Sequence, residues 1–471
     1  MKPDIALIMP SFKGGFTQDS IPLSLAYLAA VLKKNGFRVK GFNLFYDKLS
    51  DEEIRQYQVF GITSTSPSFS EAMKLAKRIK RINKQSSVVL GGPHATFLKG
   101  SLLKTNDCVD FIIYGEGEIP FLELIKSLGD EKARKDVPNL IYRQGKRIVT
   151  NKDRYFLKDL DRLPFPDKNC FDVSNYPDRQ KAYGDIIASR GCPFFCTNCK
   201  PGLDLLSPYR LRNYKKVVDE LEFLKNEYNV RHFSFSDSEL AGPKKWVIDF
   251  CKEIINRKLK ITFSCNGRTD QVDEEVIRML KKAGCVFIGY GIESGSQAVI
   301  NNILKKGINL ERSREIVKLT LDNGIGVGTW FMVGIPGETW DDVKRSIEYA
   351  KMLESLVVEV NIATPWPETG FYILAKRKGW LSLEDFSKFN EKNRAVISTP
   401  YLSSLEVIRA FTLFKTEMKK AGWKIDKKSN RMYHHNFLLK TAKLNTLQII
   451  QRGIQLSDFK RVINFGKILF Q

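Results

Sequence analysis

The sequence predicts an α/β protein. A doubly wound parallel sheet comes first, a partial (βα)6 barrel of the TIM type follows, and a helical region closes the chain. Three observations support this. Residues 1–135 alternate strand and helix patterns. Six strand patterns recur between 182 and 368 at roughly 25–45-residue intervals, with helical patterns between them. Residues 401–471 hold fourteen Lys and Arg against four Asp and Glu, with apolar residues spread among them. The divisions expected are 1–135, a hairpin and Pro-containing linker at 136–181, the barrel at 182–400, and the basic tail at 401–471.

A length of 471 residues fits two to four domains. No run of 18 apolar residues occurs, so no transmembrane helix is expected. The chain enters the strand-like Ile5–Met9 without the blocks of a signal peptide. Three of the eight cysteines share one motif. The other five, Cys108, Cys170, Cys251, Cys265 and Cys285, lie scattered in apolar segments and read as small buried hydrophobes. A reducing cytoplasm fits that usage. The net charge of +23 attracts nucleic acid, anionic lipid or acidic substrates and does not choose among them.

In chain order, Asp4–Pro10 reads as a buried strand. Leu25, Leu28, Ala29 and Leu32 form a helical stripe that Gly36 stops. Arg38–Leu44 and Val59–Thr65 are the next strands. A helix then carries Phe69, Ala72, Met73, Ala76 and Ile79 inward. Val88–Leu90 ends in the turn Gly91-Gly92-Pro93-His94-Ala95-Thr96, and Val109–Tyr114 in Gly115-Glu116-Gly117-Glu118. This rhythm means a parallel sheet with crossovers. Ligands of such sheets bind off the C-terminal strand ends.

Asn139–Val149 reads as a hairpin turning at Gln144-Gly145. The Pro-stiffened Asp161–Asp167 then fixes how the two domains face each other.

The barrel strands are Asp185–Ala188, Arg231–Phe235, Ile261–Cys265, Val286–Ile292, Ile325–Val333 and Val357–Ala363. Their C-terminal ends, where such barrels place chemistry, carry the informative residues. The first ends in Ser189–Cys199, with Cys192, Cys196 and Cys199 spaced C-x3-C-x2-C. Later ends hold Ser236-Asp237-Ser238-Glu239, Asn266-Gly267-Arg268, Gly291–Gly295 and Gly334–Thr339.

Three thiolates at that spacing can hold three corners of an iron–sulfur cube and leave the fourth iron open. A three-Cys zinc site with a distant fourth ligand is the alternative. However, none of the four His (His94, His232, His434, His435) lies close in sequence. The motif resembles that of the radical SAM superfamily. The resemblance implies a [4Fe-4S] cluster on Cys192, Cys196 and Cys199, with S-adenosylmethionine on the open iron. It places Phe195, Ser236, Asp237, Glu239, Arg268, Glu293, Gly334 and Pro336 around that molecule. The backbone of Gly334–Glu338 would approach the adenine. The family usually has an aromatic residue before the third Cys; here it is Asn198.

The N-terminal third resembles the Rossmann-like cobalamin-binding domain of a large radical SAM subgroup, carried by the helix 22–32 and the turns 91–96 and 115–118. The resemblance implies cobalamin contacts from Thr63, Ser64, Gly91, Gly92, Pro93, His94, Gly115, Glu116, Gly117 and Glu118. The Asp-x-His-x-x-Gly loop of other cobalamin proteins is absent, since Ser11–Phe16 holds no His. His94 reads as a residue that hydrogen-bonds the loop or packs on the cofactor tail rather than as a cobalt ligand.

The family implies a methyltransferase acting on an unactivated carbon through a 5′-deoxyadenosyl radical. Oxidative cyclisation or carbon–carbon bond formation is the alternative within the subgroup, and a basic nucleic-acid-binding iron–sulfur protein the alternative of another class. The nucleic-acid reading is disfavoured because the extra N-terminal cysteines and RNA-binding barrel of tRNA-modifying relatives are missing. The partners expected are a small-molecule or lipid-like substrate and an external electron donor of flavodoxin or ferredoxin type. The tail 431–471 suits peripheral contact with an anionic membrane, or a helical cap with a solvated basic face.

Overall fold

The computed structural model describes residues 3–12, 19–151, 155–199, 208–389, 391–426 and 431–434. The first sheet has seven strands in the order β2-β1-β3-β4-β5-β6-β7. They are β1 (Ile5–Met9), β2 (Val39–Asn43), β3 (Val59–Thr63), β4 (Ser87–Gly91), β5 (Phe111–Ile113), β6 (Leu140–Gln144) and β7 (Arg147–Thr150). β1 to β5 are parallel, as the alternation with helices requires.

Strand periodicity splits β1 between two cores. Ile5 and Leu7 join Leu25, Ala29, Phe121 and Leu122 on one face. Ala6 and Ile8 join Met73, Ala76 and Ile79 on the other. The first of these cores runs on without interruption into the barrel.

Two expectations for this half need correction. The segment after β4 is the helix Gly92–Leu98, with Pro93 in its first turn, rather than a turn. Proline's fixed φ suits that position. The hairpin lies on the first sheet as β6 and β7, with β6 paired antiparallel to β5, and not between domains. Its buried Leu140, Ile141 and Tyr142 cover an edge that β5 would otherwise leave unpaired. Gln144 pairs with Arg147, so the two-residue turn is Gly145-Lys146, one residue later than expected, with Gly145 at φ 58°.

The second sheet follows the order β16-β17-β15-β14-β13-β12-β11-β8. The parallel strands are β8 (Asp185–Ile186), β11 (His232–Phe235), β12 (Thr262–Gly267), β13 (Cys285–Glu293), β14 (Gly326–Val333) and β15 (Val357–Ile362). They are the six barrel strands expected. A separate pair, β9 (Ser189–Arg190) and β10 (Arg210–Leu211), stands beyond β8.

The C-terminal region is not wholly helical. After the helix Ser404–Lys420, β16 (Trp423–Ile425) and β17 (Met432–His434) form an antiparallel hairpin on β15. Trp423 and Met432 are buried there, which a solvated helix would not achieve. The membrane contact expected of 431–471 falls, from residue 435 on, outside the described residues, as does Lys13–Phe16 of the first loop. No helix among the described residues is long and apolar enough to cross a membrane. The five scattered cysteines are buried, as free thiols.

The segment between the sheets fastens them. Ile21 donates its amide to the Ala182 carbonyl at 3.1 Å, and Asp167 to that of Ala26 at 3.0 Å. Lys33 pairs with Asp167 at 2.5 Å. Lys168, 1% exposed, donates to the carbonyls of Tyr183 and Asp185 at 2.6 Å each. Burial lowers its pKa to about 8, against the raising influence of Glu220 and Asp185.

Candidate cluster loop and facing cofactor-binding ends

The three thiols sit on a loop with a tied stem. β9 leads into it and β10 leads out, with Arg190 opposite Arg210 and Ser189 opposite Leu211. Asp237, at the end of β11, accepts from the Ala188 amide at 3.0 Å and the Ser189 hydroxyl at 2.5 Å. Arg212 donates to the Ile187 carbonyl at 2.7 Å and pairs with buried Glu220 at 2.6 Å. Inside the loop, Thr197 docks on a π-helical turn, Val299–Ile303. Its amide reaches the Leu304 carbonyl at 3.0 Å and its hydroxyl that of Ile303 at 2.6 Å. Such turns often mark functional sites.

Burial raises the pKa of Cys192, and it raises that of Cys199 to about 12; the neighbouring thiols of the motif push both further up. The sulfurs therefore feel one another. Yet among the described residues no group of three or more His, Cys, Asp or Glu gathers closely enough to hold a single metal ion. Three soft sulfur ligands on one loop suit the corners of an iron–sulfur cluster. As free thiols Cys192 and Cys199 would stay protonated at neutral pH; bound iron would take its ligands as thiolates.

Polar atoms without partners surround this loop. Neither carboxylate oxygen of Glu239 has a well-formed hydrogen bond, and the side chain is 2% exposed. Burial pushes Glu239 up to about 8, against the lowering pull of the Arg268 amide and guanidinium. Asn198 Oδ1 and the Tyr209 hydroxyl are likewise buried and unpartnered. Unsatisfied buried groups of this kind suit a polar ligand such as S-adenosylmethionine.

Arg268 lies over the Phe194 ring at 3.7 Å, with Nη1 3.7 Å from Cys196 Sγ. Glu293, in the left-handed region at φ 72°, pairs with Lys306 at 2.7 Å. The Ser236 amide donates to the Ile186 carbonyl at 2.9 Å.

Several residues expected around S-adenosylmethionine are placed otherwise. The carboxylate of Asp237 is spent on the loop stem, so it positions the thiols. The Gly334 and Ile335 amides donate to the Glu338 carboxyl at 2.7 and 3.2 Å, which leaves neither amide for an adenine. Pro336 is buried beside them. Phe195 is 67% exposed on the loop surface.

In the first domain, Ser64 donates its amide and hydroxyl to the Gly91 carbonyl at 2.9 and 3.1 Å. Gly92, at φ 88°, is a cradle: a Cβ there would sit 2.6 Å from Thr63 Oγ1 and 2.8 Å from the Ser64 backbone. His94 Nδ1 lies 3.0 Å from the Ser66 hydroxyl, and its ring packs on Phe69 at 4.3 Å and Phe386 at 5.8 Å. Burial lowers its pKa to about 4, so it is neutral, and Nε2 has no partner. Gly115 donates to Thr96 Oγ1 at 2.9 Å, and Gly117 precedes the helix Glu118–Lys126. The orphaned ring nitrogen at the end of β4 fits a bound cofactor.

Glu116 and Glu118 are corrected: their carboxylates turn to the cluster loop. Glu118 pairs with Arg190 at 2.6 Å. Glu116 pairs with Arg210 and accepts from the Leu157 amide at 2.8 Å. Burial would raise Glu116, but Arg210 and Arg190 hold it below the ordinary carboxylate range. Arg190, Arg210, Lys306 and Glu338 were not singled out from the sequence, because their partners lie in distant segments or carry no motif.

Both halves of the chain are similar to known proteins. Residues 14–125 match the B12 binding domain, and 186–350 match the radical SAM superfamily. An uncharacterized methyltransferase of Pyrococcus horikoshii is 29% identical over 374 residues, covering 78% of this chain and 81% of its own length. The anaerobic magnesium-protoporphyrin IX monomethyl ester cyclase of Rubrivivax gelatinosus is 29% identical over 386 residues, covering 78% and 68%. The solved radical S-adenosylmethionine methyltransferase TsrM of Kitasatospora setae superposes with a TM-score of 0.68 at 18% identity, over 97% of this chain and 90% of that one. With both matches in order along the chain, the protein carries a B12 binding domain followed by a radical SAM domain.

Proposed function

We propose that this enzyme is a cobalamin-dependent methyltransferase acting on an unactivated carbon of a small molecule. The observation that carries the reading is the contact between the Glu118 and Arg190 side chains, 2.6 Å apart. It sets the end of β5 in the first domain directly against the stem of the cysteine loop in the second. A substrate between the two ends would reach both cofactors.

The bound [4Fe-4S] cluster, S-adenosylmethionine and cobalamin together supply radical generation and methyl transfer. The chain supplies position. Cys192, Cys196 and Cys199 would ligate iron. Arg268 and Lys306 bring positive charge to the loop, and Glu239 offers a buried carboxyl. Gly91, Gly92 and His94 would line the cobalamin tail. An external donor of flavodoxin or ferredoxin type would deliver electrons.

Cyclisation is the second reading, because identity to the cyclase equals that to the methyltransferase. Methyl transfer is preferred because the shared region covers more of the methyltransferase's own length. The test is anaerobic reconstitution with iron, sulfide, cobalamin and S-adenosylmethionine. About four irons per chain, bound cobalt and 5′-deoxyadenosine on reduction are expected, with iron lost in Cys192→Ala. Iron and 5′-deoxyadenosine without cobalt would sink the cobalamin reading.

A further inference from the structure

We propose that Arg190 and Arg210 are positioning residues that tie the cluster loop to the cobalamin-binding domain, so that occupancy of one cofactor site sets the affinity of the other. The inference rests on the function proposed above and adds a route between its two sites.

Arg190 and Arg210 are register partners across the β9–β10 stem. Both reach the same short turn of the other domain. Arg190 Nη2 lies 2.6 Å from Glu118 and its Nη1 3.7 Å from Glu116. Arg210 Nη1 lies 3.1 Å from Glu116 and Nη2 contacts the same carboxylate. Side-chain exposure of the four is 9–16%. Among the described residues, the pairs Lys33–Asp167 and Lys181–Asp19 are wetter, with the lysines 42% and 41% exposed.

Position separates this cluster from a plain staple. A staple could sit anywhere on the boundary and could be apolar at no loss of stability. These charges join the two elements that bear the cofactor ends. The turn 115–118 follows the C-terminal end of β5, and the strands of the stem flank the three thiols in the chain. The stem is otherwise held within the barrel through Asp237 and Arg212, so a shift of the turn would be passed to Arg190 and from there to the loop. A guanidinium forks across both carboxylates, which an ammonium cannot.

The experiment is a titration of S-adenosylmethionine against the reduced cluster, followed by electron paramagnetic resonance, with and without hydroxocobalamin. Iron and cobalt are counted on the same samples. In the wild type, cobalamin should change the dissociation constant of S-adenosylmethionine by about fivefold or more, and S-adenosylmethionine should change that of cobalamin by the same factor. Arg190→Lys and Glu118→Gln should each bring the ratio below about twofold while retaining iron. Glu118→Gln lies on the far side of the boundary and carries the test should Arg190→Lys not hold iron. A wild-type ratio of one, or a full ratio surviving in Glu118→Gln, overturns the proposal. A wild type that binds iron and no cobalt overturns the two-cofactor reading itself, and the metal count tells the two failures apart.

Discussion

Both carboxylate oxygens of Asp237 lie 3.0 Å from the Ala188 amide. This one side chain, with Ser189 also attached to it, decides where the cysteine loop leaves the barrel. Removing it in Asp237→Ala would strand a buried amide and a hydroxyl, at about 1–3 kcal/mol for each unsatisfied group. Thermal melting should fall accordingly, and iron retained per chain after desalting should fall with it. Asp237→Asn keeps the shape and should lose less of both.

Gly92→Ala should damage the first domain selectively. Its Cβ would lie 2.6 Å from Thr63 Oγ1 at a φ of 88°, a cost of about 1–3 kcal/mol from the backbone conformation alone. Cobalt binding should be lost, while iron binding on the distant thiols should persist. Metal analysis of the variant checks this; equal loss of both metals would contradict it.

Glu338 makes a pH-dependent contribution to stability. Burial raises its pKa from 4.5 to about 8, against the lowering effect of the Gly334 and Ile335 amides, and Asp342 raises it further. Between those values the folded chain holds a proton that the unfolded chain releases. The contribution is full below 4.5 and is lost as pH rises through about 8. The slope is at most about 1.4 kcal/mol per pH unit. Urea unfolding across that range should show a shallower decline in Glu338→Gln.

Arg268→Lys should separate cluster binding from ligand binding. The guanidinium covers Phe194 at 3.7 Å and donates to Asp270 and the Lys306 carbonyl together. An ammonium keeps the charge and loses the plane. Iron should remain, and the dissociation constant of S-adenosylmethionine should rise about tenfold, as the loss of a desolvated cation–π contact implies. An unchanged constant would show that Arg268 only buttresses the loop.

The sequence made the strands and the thiols legible because both are local signals. Runs such as Val59–Thr63 announce a buried strand wherever they fall, and the C-x3-C-x2-C spacing needs eight residues. Pairings between remote segments left no such trace. Glu116 and Glu118 look like ligand-loop acids until Arg190 and Arg210, 72 and 94 positions away, are brought to them. The hairpin at β6–β7 and the strands β16 and β17 depend on sheet edges that only the folded chain presents. Glu338 was passed over because its role is to take the amides of its own turn, which no spacing rule distinguishes from an exposed acid.

The core that begins at Ile5 continues without a break to Met432. Two units with their own interiors would melt separately and could swing apart. Here Ile21, Ala26 and Lys33 on one side are bonded to Ala182 and Asp167 on the other, so opening the boundary would expose an interior common to both. The halves should unfold as one cooperative body, visible as a single calorimetric endotherm whose van't Hoff and calorimetric enthalpies agree. Catalysis in such a body cannot rely on large domain swings. Motions that admit substrate and release product must be carried by side chains and loops on a rigid frame.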